Sequence, residues 1–287
     1  MVVDIGGLGR KSHGGRAAFL SAVAQFAVSS VAMMLGNKAA VNALPLPCTL
    51  VIIQAVGTLV LLMVFYGPQL TAMRLNVALK WFPIAFLFTA MLFTSMKSFV
   101  YSGVSTIIVF RNVGAIVTTV VEYFVRGTRV NVNIIASEVS IVIGAVMYAK
   151  GTVDYTPDGL FWILANVCCQ VAYGVLLKRM MDLEPVVRDM SKFSMSYYNN
   201  ALALPMIAVV LLVQSEHESL AQRVEATTPW GWGIIALTCV FGFMISTSGF
   251  GLQKLVSATT FLVINNVTKF ANILLGILLL NDRIVGW

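Results

Sequence analysis

Long runs of apolar residues constrain this chain more than any other feature of its sequence. A helix needs about 20 mostly apolar residues to cross a hydrocarbon core of about 30 Å, and the sequence contains nine such runs. They lie near residues 17–38, 48–66, 81–99, 102–123, 131–150, 158–177, 192–213, 231–250 and 257–280. Turn-forming or charged residues separate the runs, among them Pro45, Pro157 and Pro229. The pattern predicts an all-α, polytopic membrane helix bundle with nine spans.

The composition excludes a soluble enzyme. Only 11% of the 287 residues are charged and 59% are hydrophobic, whereas a soluble domain has about 25% charged residues. The two histidines, His13 and His217, lie in polar segments. Because the spans contain neither histidine nor a pair of carboxylates, we expect no metal site, no cofactor and no intramembrane catalysis. The sequence predicts a protein that is not an enzyme.

The positions of the basic residues predict the orientation in the membrane. With the N-terminus in the cytosol, twelve of the 19 Lys and Arg residues fall in cytosolic segments and four on the opposite side. Such an excess is the usual pattern of cytosolic loops in membrane proteins. The net charge of +7 therefore does not indicate a nucleic-acid partner. We expect the lipid bilayer as partner, with residues 1–16 as a cytosolic tail.

Two cations inside the predicted spans are the main candidates for a functional site. Arg111 lies in the fourth span and Lys269 in the ninth. A cation at such depth costs about 2.5–3.5 kcal/mol on insertion scales, so it usually marks a ligand site or an ion pair. Glu138 is the embedded acid that could form an ion pair, but one acid does not neutralise two cations on different helices. Two cations suit a dianion, such as a diphosphate or a nucleoside monophosphate.

The same two cations indicate an internal repeat. They lie five spans apart, as expected if two inverted five-helix repeats place their fourth and ninth helices in equivalent positions around a central site. On this interpretation, residues 17–150 form the first repeat. Residues 151–287 form the second repeat, with four helices and the tenth helix missing.

Polar residues on further spans are predicted to line the same cavity, because residues three or four apart are neighbours on a helix. Those that share a face are Trp162, Asn166, Gln170 and Tyr173 in span six and Phe261, Asn265, Lys269, Asn272 and Gly276 in span nine. In span seven, Asn199 and Asn200 precede Pro205. Adjacent amides can pair with a nucleobase edge, and the alternative is hydrogen bonding between helices. Lys38, at the end of span one, is expected to extend to the membrane interface.

Four segments resemble the nucleotide-sugar transporters of the drug/metabolite transporter superfamily, most closely the Golgi GDP-mannose transporters. They are Ser29-Ser30 with Asn37-Lys38, Phe110-Arg111-Asn112, Tyr197-Tyr198-Asn199-Asn200 and Asn265-Asn266-Val267-Thr268-Lys269. In the second segment Arg replaces the Lys of the family. In the last segment only the Lys of the family's Gly-Ala-Leu-Asn-Lys motif is kept, which leaves the sugar open. The family has ten helices, whereas this sequence ends where a tenth would begin.

The resemblance implies a role for each matching residue. Contacts are implied with the base for Asn199, Asn200 and Ser246, with the phosphates for Arg111 and Lys269, with the sugar for Phe261 and Asn265, and with the nucleoside for Phe26 and Tyr197. It further implies a Golgi antiporter that imports a nucleotide sugar, GDP-mannose or another GDP-sugar, in exchange for GMP, with a homodimer as a candidate assembly. The alternatives are a carrier of UDP-sugars or sugar phosphates from the same superfamily, and a non-transporting assembly subunit whose cations bind lipid.

Overall fold

The computed structural model describes residues 13–70, 73–126 and 156–256, with single positions between 132 and 143 and between 261 and 268. The elements in this part of the chain are all helical. In chain order they are α1 (His13–Ala43), α2 (Pro47–Tyr66), a 3-10 turn (Gly67–Gln69), α3 (Leu75–Tyr101), α4 (Val104–Arg126), α5 (Pro157–Leu183), α6 (Pro185–Asp189), α7 (Lys192–Val213), α8 (Glu216–Ala226) and α9 (Pro229–Leu255). The prediction of a helical, multi-spanning bundle is confirmed.

The long helices coincide with predicted spans. Six of them, α1, α2, α3, α5, α7 and α9, are long and apolar enough to cross a membrane, and α4 covers all but the first two residues of the predicted span 102–123. The predicted spans 131–150 and 257–280 lie largely outside the described residues, as does the tail 1–16. The nine-span count and the two repeats therefore stay predictions. Most of these helices begin or end a few residues outside the predicted apolar runs.

Proline and hydroxyl side chains fix where several helices begin. The first helical turn of α2, α5, α6 and α9 contains a proline, at a position where an N–H would have no partner within the helix. The hydroxyl groups of Thr156, Ser191 and Thr228 each accept a hydrogen bond from the backbone N–H three residues later, at 3.1, 3.0 and 3.1 Å. These N-caps set the starts of α5, α7 and α9. They thereby set the depth at which the polar side chains of these helices lie.

The helices pack in pairs around a central space. Helix α1 lies along α9, α3 along α5, α2 against α7 and α9, and α4 against α5. Two of these crossings depend on glycine. A Cβ atom on Gly57 would lie 2.6 Å from the Cβ of Cys239, and one on Gly114 would lie 2.9 Å from Cγ1 of Val167. Small residues of this kind let membrane helices approach closely.

Basic residues collect at one end of the bundle, which we call the basic end. Contacts bring its segments together: the ring of Tyr66 stacks on Phe193 with centroids 3.8 Å apart, and Lys80 forms a 2.7 Å ion pair with Glu184. Lys254 Nζ donates to the Arg188 carbonyl at 2.9 Å, which joins α9 to the segment between α5 and α7. The other residues at this end include Arg74, Lys178 and Lys192.

A buried carboxylate ties α8 to α2 at the opposite end. Glu216 accepts hydrogen bonds from the backbone N–H groups of Cys48 and Thr49 at 2.9 and 3.0 Å, and from the Thr49 hydroxyl at 3.2 Å. Ser215, with a left-handed φ of 52°, makes the turn that leads into α8. A carboxylate at a helix N-terminus satisfies N–H groups that have no partner in the helix and complements the helix dipole.

Lys38 contacts the backbone at the end of α3. Its Nζ donates to the backbone carbonyls of Phe99 and Ser102 at 2.8 and 3.0 Å. These carbonyls lie at the C-terminus of α3, where a cation complements the helix dipole. Lys38 therefore joins α1 to the C-terminal end of α3.

Candidate functional site

A cavity of about 390 Å³ lies between the helices, within the range of about 300–1,000 Å³ that is usual for small-molecule sites. Side chains of α1 to α5, α7 and α9 line it. The polar residues in its wall are Ser30, Asn37, Gln54, Thr58, Ser95, Arg111, Thr118, Asn166, Gln170, Tyr173, Lys178, Asn200, Ser246, Gln253 and Asn265. The cavity therefore combines an apolar surround with amides, hydroxyl groups and cations.

Arg111 places a positive charge in the cavity wall. Its Nε donates to Asn166 Oδ1 at 3.1 Å and its Nη2 to Ser95 Oγ at 2.7 Å. The guanidinium carbon lies 5.7 Å from the ring centroid of Phe99. Glu138, the acid considered as an ion-pair partner, accepts a hydrogen bond from Thr119 at 2.9 Å. Thr119 lies eight residues after Arg111 on α4, which corresponds to about 12 Å along the helix axis. We call Arg111, Asn166 and Ser95 the Arg111 cluster.

A second group of polar residues joins α5, α7 and α9. Asn200 lies in the cavity wall and its Nδ2 donates to the Ser196 carbonyl at 2.8 Å. The hydroxyl groups of Ser196 and Ser246 are 2.6 Å apart. Asn199 Nδ2 donates to the hydroxyl of Tyr173 at 3.0 Å. We call these five residues the Asn200 cluster.

The two clusters lie at different depths of the cavity. Asn166 and Tyr173, one from each cluster, are seven residues apart on α5, which corresponds to about 10 Å along the helix axis. The Arg111 cluster is nearer the end that contains α8, and the Asn200 cluster is nearer the basic end. An elongated ligand with a charged part and a polar, uncharged part matches this arrangement.

The two asparagines of span seven lie in different surroundings. Asn199 is fully buried and is not among the residues that line the cavity. Its Oδ1 accepts a hydrogen bond from Trp81 Nε1 at 2.5 Å, in addition to the bond that its Nδ2 donates to Tyr173. Asn199 therefore connects α7 to α3 and α5, whereas Asn200 faces the cavity.

Aromatic residues form another part of the wall. The rings of Phe26 and Phe261 are 5.3 Å apart and tilted by 52°, and both line the cavity together with Asn265. Tyr197 packs beside the ring of Tyr198 with centroids 6.2 Å apart and is not among the lining residues. Lys269, the second predicted cation, lies outside the described residues.

Most of the polar face predicted on span six does lie in the cavity wall. Asn166, Gln170 and Tyr173 line the cavity. Trp162 packs edge-on against Phe93, with centroids 5.4 Å apart, and is not among the lining residues. The predicted face thus continues towards the basic end but not towards the start of α5.

Sequence reasoning missed a polar network at the α1 side of the cavity. Gln54 Nε2 donates to Asn37 Oδ1 at 2.9 Å and to Thr238 Oγ1 at 3.0 Å, which links α2 to α1 and α9. Gln54 and Asn37 line the cavity. The available signal was a glutamine in the middle of the otherwise apolar second span.

Comparison with known proteins finds transporters. The GDP-mannose transporter GONST1 of Arabidopsis thaliana is 28% identical over 204 residues, which cover 70% of this chain and 61% of that protein. The GDP-fucose transporter 1 of the same plant is 27% identical over 210 residues, which cover 71% and 60%. A GDP-mannose transporter of Komagataella pastoris is 23% identical over 269 residues, which cover 88% and 80%. This chain spans about three fifths of the length of the two plant proteins.

The family of the chain follows from a match that extends over nearly all of it. The Triose-phosphate Transporter family matches residues 19–286, a range that contains every described span and both polar clusters. The resemblance to transporters of the drug/metabolite superfamily is thereby confirmed. With its helical bundle and central polar cavity, this chain belongs to the Triose-phosphate Transporter family.

Proposed function

We propose that this protein is a membrane antiporter for a nucleotide sugar, with GDP-mannose or another GDP-sugar as the imported substrate and GMP as the exchanged one. The observation that carries the proposal is Arg111, a cation in the wall of a cavity inside a multi-spanning bundle. A nucleotide sugar and its monophosphate both contain phosphate, so one cationic site serves both directions of exchange. The relatives named as GDP-mannose and GDP-fucose transporters support the choice of substrate class.

The phosphates are assigned to Arg111, with Lys269 as the second cation expected from the sequence. A guanidinium is planar and binds phosphate oxygens with two parallel N–H groups. The partners of Arg111 named above, Asn166 and Ser95, contribute neutral oxygens. Neither of these two partners brings a negative charge to the guanidinium.

The base is assigned to the Asn200 cluster. Asn200 and Ser246 line the cavity and offer an amide and a hydroxyl, which can pair with the donors and acceptors on a guanine edge. Asn199, the third residue expected to contact the base, would act from behind Asn200, because its own amide joins Trp81 to Tyr173. The spacing of about 10 Å between the two clusters suits a nucleotide that lies along the bundle axis, with its phosphates at Arg111 and its base at Asn200.

The sugar is assigned to Phe261 and Asn265, and the nucleoside to Phe26 with Tyr197 beyond it. Phe26 and Phe261 form one aromatic surface, against which a sugar or a base can pack. Asn265 adds an amide that can pair with sugar hydroxyl groups. A site built on such hydrogen bonds discriminates strongly against ligands that lack them, so Asn265 is the residue expected to rank the GDP-sugars.

The cellular setting belongs to the same proposal. We assign the protein to the Golgi membrane with the N-terminus and the basic end in the cytosol, since Lys and Arg accumulate on the cytosolic side of membrane proteins. On this assignment, Lys178 and Gln253 line the cytosolic part of the cavity. The nucleotide sugar would enter from that side.

A carrier of sugar phosphates is the second candidate, because the matching family is named after triose phosphate. A phosphate group alone could occupy the Arg111 cluster. However, it would leave the Asn200 cluster without a ligand, and it would leave the apolar part of the cavity of about 390 Å³ unfilled. A UDP-sugar would fill both clusters, so uridine and guanine must be compared directly.

The test is exchange transport in proteoliposomes. Vesicles are preloaded with GMP, UMP or inorganic phosphate, and uptake of labelled GDP-mannose is measured against competing GDP-fucose, UDP-galactose and dihydroxyacetone phosphate. The proposal expects uptake that depends on internal GMP and is inhibited by GDP-sugars. Uptake driven equally by internal phosphate, or inhibited by dihydroxyacetone phosphate alone, would favour the sugar-phosphate carrier. Absence of any exchange by folded protein would contradict antiport.

A further inference from the structure

We propose that Asn166 is a positioning residue that holds the Arg111 guanidinium in the orientation in which it binds phosphate. The inference deepens the proposed function and rests on it. Asn166 lies on α5, is almost completely buried at 1% exposure, and lines the cavity beside Arg111. The resemblance to the nucleotide-sugar transporters implied no role for Asn166.

The orientation of the Asn166 amide is fixed by its neighbours on α3. The Thr94 hydroxyl donates to the Ala90 carbonyl at 2.7 Å, so its oxygen is available as an acceptor. Asn166 Nδ2 donates to that oxygen at 3.1 Å and to the Met91 carbonyl at 2.8 Å. Because both acceptors face the NH₂ group, the amide oxygen must take the side of Arg111. A flipped amide would set its NH₂ group against the guanidinium, donor against donor.

The fixed amide in turn fixes Arg111. Its Nε donates to Asn166 Oδ1 at 3.1 Å and its Nη2 to Ser95 Oγ at 2.7 Å. Since a guanidinium is a rigid plane, hydrogen bonds from two of its nitrogens to two oxygens on neighbouring helices determine that plane. A fixed arginine loses less side-chain entropy when it binds a ligand.

The identity of the residue matters as much as its position. An aspartate at 166 would accept the same hydrogen bond from Arg111 Nε but would add a negative charge at ion-pair distance. A phosphate would then have to compete with that carboxylate for the guanidinium. An amide gives the same geometry without that competition.

Close packing of α4 on α5 brings the two residues together. Gly114, one turn after Arg111, leaves room for Val167, the residue after Asn166, since a Cβ at 114 would lie only 2.9 Å from Val167 Cγ1. The glycine thus allows the guanidinium of α4 to reach the amide of α5. The close contact between the helices and the Asn166 amide together position Arg111.

The test compares ligands with and without phosphate on the purified full chain. Affinities for GMP and guanosine, and for UMP and uridine, are measured by thermal shift for the wild type, Asn166→Asp and Arg111→Gln. The matched control is Asn76→Asp, the same change at an exposed position of α3. Because each pair shares its base, the ratio of the two affinities reports the phosphate site and not the packing of the bundle.

We expect Asn166→Asp to weaken GMP and UMP by at least about 10-fold and to change guanosine and uridine by less than about 2-fold. Asn76→Asp should change none of the four. Equal affinity of Asn166→Asp and wild type for GMP would overturn the positioning role, and so would an equal loss of GMP and guanosine. If the wild type itself binds GMP no better than guanosine, the proposed function fails. If the wild type prefers GMP and Arg111→Gln removes that preference but Asn166→Asp does not, only the positioning role fails.

A second variant covers the case in which Asn166→Asp does not fold. Thr94→Val keeps the shape of the side chain but removes the oxygen that orients the amide. A selective loss of GMP affinity of about 2- to 5-fold, with guanosine unchanged, supports the positioning role. Unchanged GMP affinity in a folded Thr94→Val protein overturns it.

Discussion

Replacing the two adjacent asparagines of α7 should separate stability from ligand binding. Asn199 is fully buried, and its amide joins Trp81 Nε1 at 2.5 Å to the Tyr173 hydroxyl at 3.0 Å. Asn199→Ala leaves the buried indole N–H without its acceptor, which costs about 1–3 kcal/mol, and leaves a small void that costs about 1 kcal/mol more. The expected loss in the free energy of unfolding is therefore about 2–4 kcal/mol, or on the order of 8 °C in Tm.

Asn200→Ala should behave in the opposite way. Its side chain lies in the cavity wall, and its described hydrogen bond, to the Ser196 carbonyl at 2.8 Å, stays within one helix. Removing the amide should cost less than about 1 kcal/mol of stability. Loss of a hydrogen bond to the base should weaken GMP by about 5-fold and UMP by less.

The assay is thermal unfolding of both variants in detergent, with and without GMP and UMP. The expected pattern is a low Tm with preserved ligand preference for Asn199→Ala, and a near-normal Tm with reduced GMP preference for Asn200→Ala. An Asn199→Ala protein of normal stability that selectively loses GMP would refute the reasoning. Asn199 would then contact the base itself, as the motif alone implied.

Two further predictions concern the framework around the cavity. Glu216→Gln should lower the free energy of unfolding by about 2 kcal/mol, because the amide cannot replace both acceptor oxygens at the start of α2. The control Glu218→Gln, exposed on the same helix, should change the free energy of unfolding by less than about 0.5 kcal/mol. Equal melting temperatures of the two variants would contradict the role of Glu216. Gly57→Ala should lower the free energy of unfolding by about 1–3 kcal/mol, because the added methyl group overpacks α2 on Cys239. The control Gly233→Ala, with no atom within 4 Å of the added Cβ, should be neutral or slightly stabilising. Thermal unfolding measures both, and a Gly57→Ala protein as stable as Gly233→Ala would disprove the close crossing.

The parts of the fold that the sequence could predict are those that the bilayer imposes. Hydrocarbon requires about 20 apolar residues per crossing, so the long helices could be placed from hydropathy. The same solvent makes an embedded cation costly, which singled out Arg111, and Arg111 does line the cavity. The three- and four-residue spacing of Asn166, Gln170 and Tyr173 placed three further residues in the wall.

The rest depends on contacts between residues that are far apart in the chain. Neighbouring residues on a helix point about 100° apart, so two adjacent asparagines have different surroundings, and here Asn200 lines the cavity whereas Asn199 does not. Which one does so is decided by Trp81, 118 residues away from Asn199. Glu216 reaches α2 across 168 residues, and Lys38 reaches the end of α3 across 61. Composition and spacing carry no information about such pairs.

An experimental structure with GDP-mannose bound would test the central claim most directly. The account predicts phosphate oxygens at about 2.7–2.9 Å from the Arg111 guanidinium, with the base beside Asn200 and Ser246 and with Asn166 still hydrogen-bonded to Arg111. A ligand bound elsewhere, or one in this cavity whose phosphates lie away from Arg111, would contradict it.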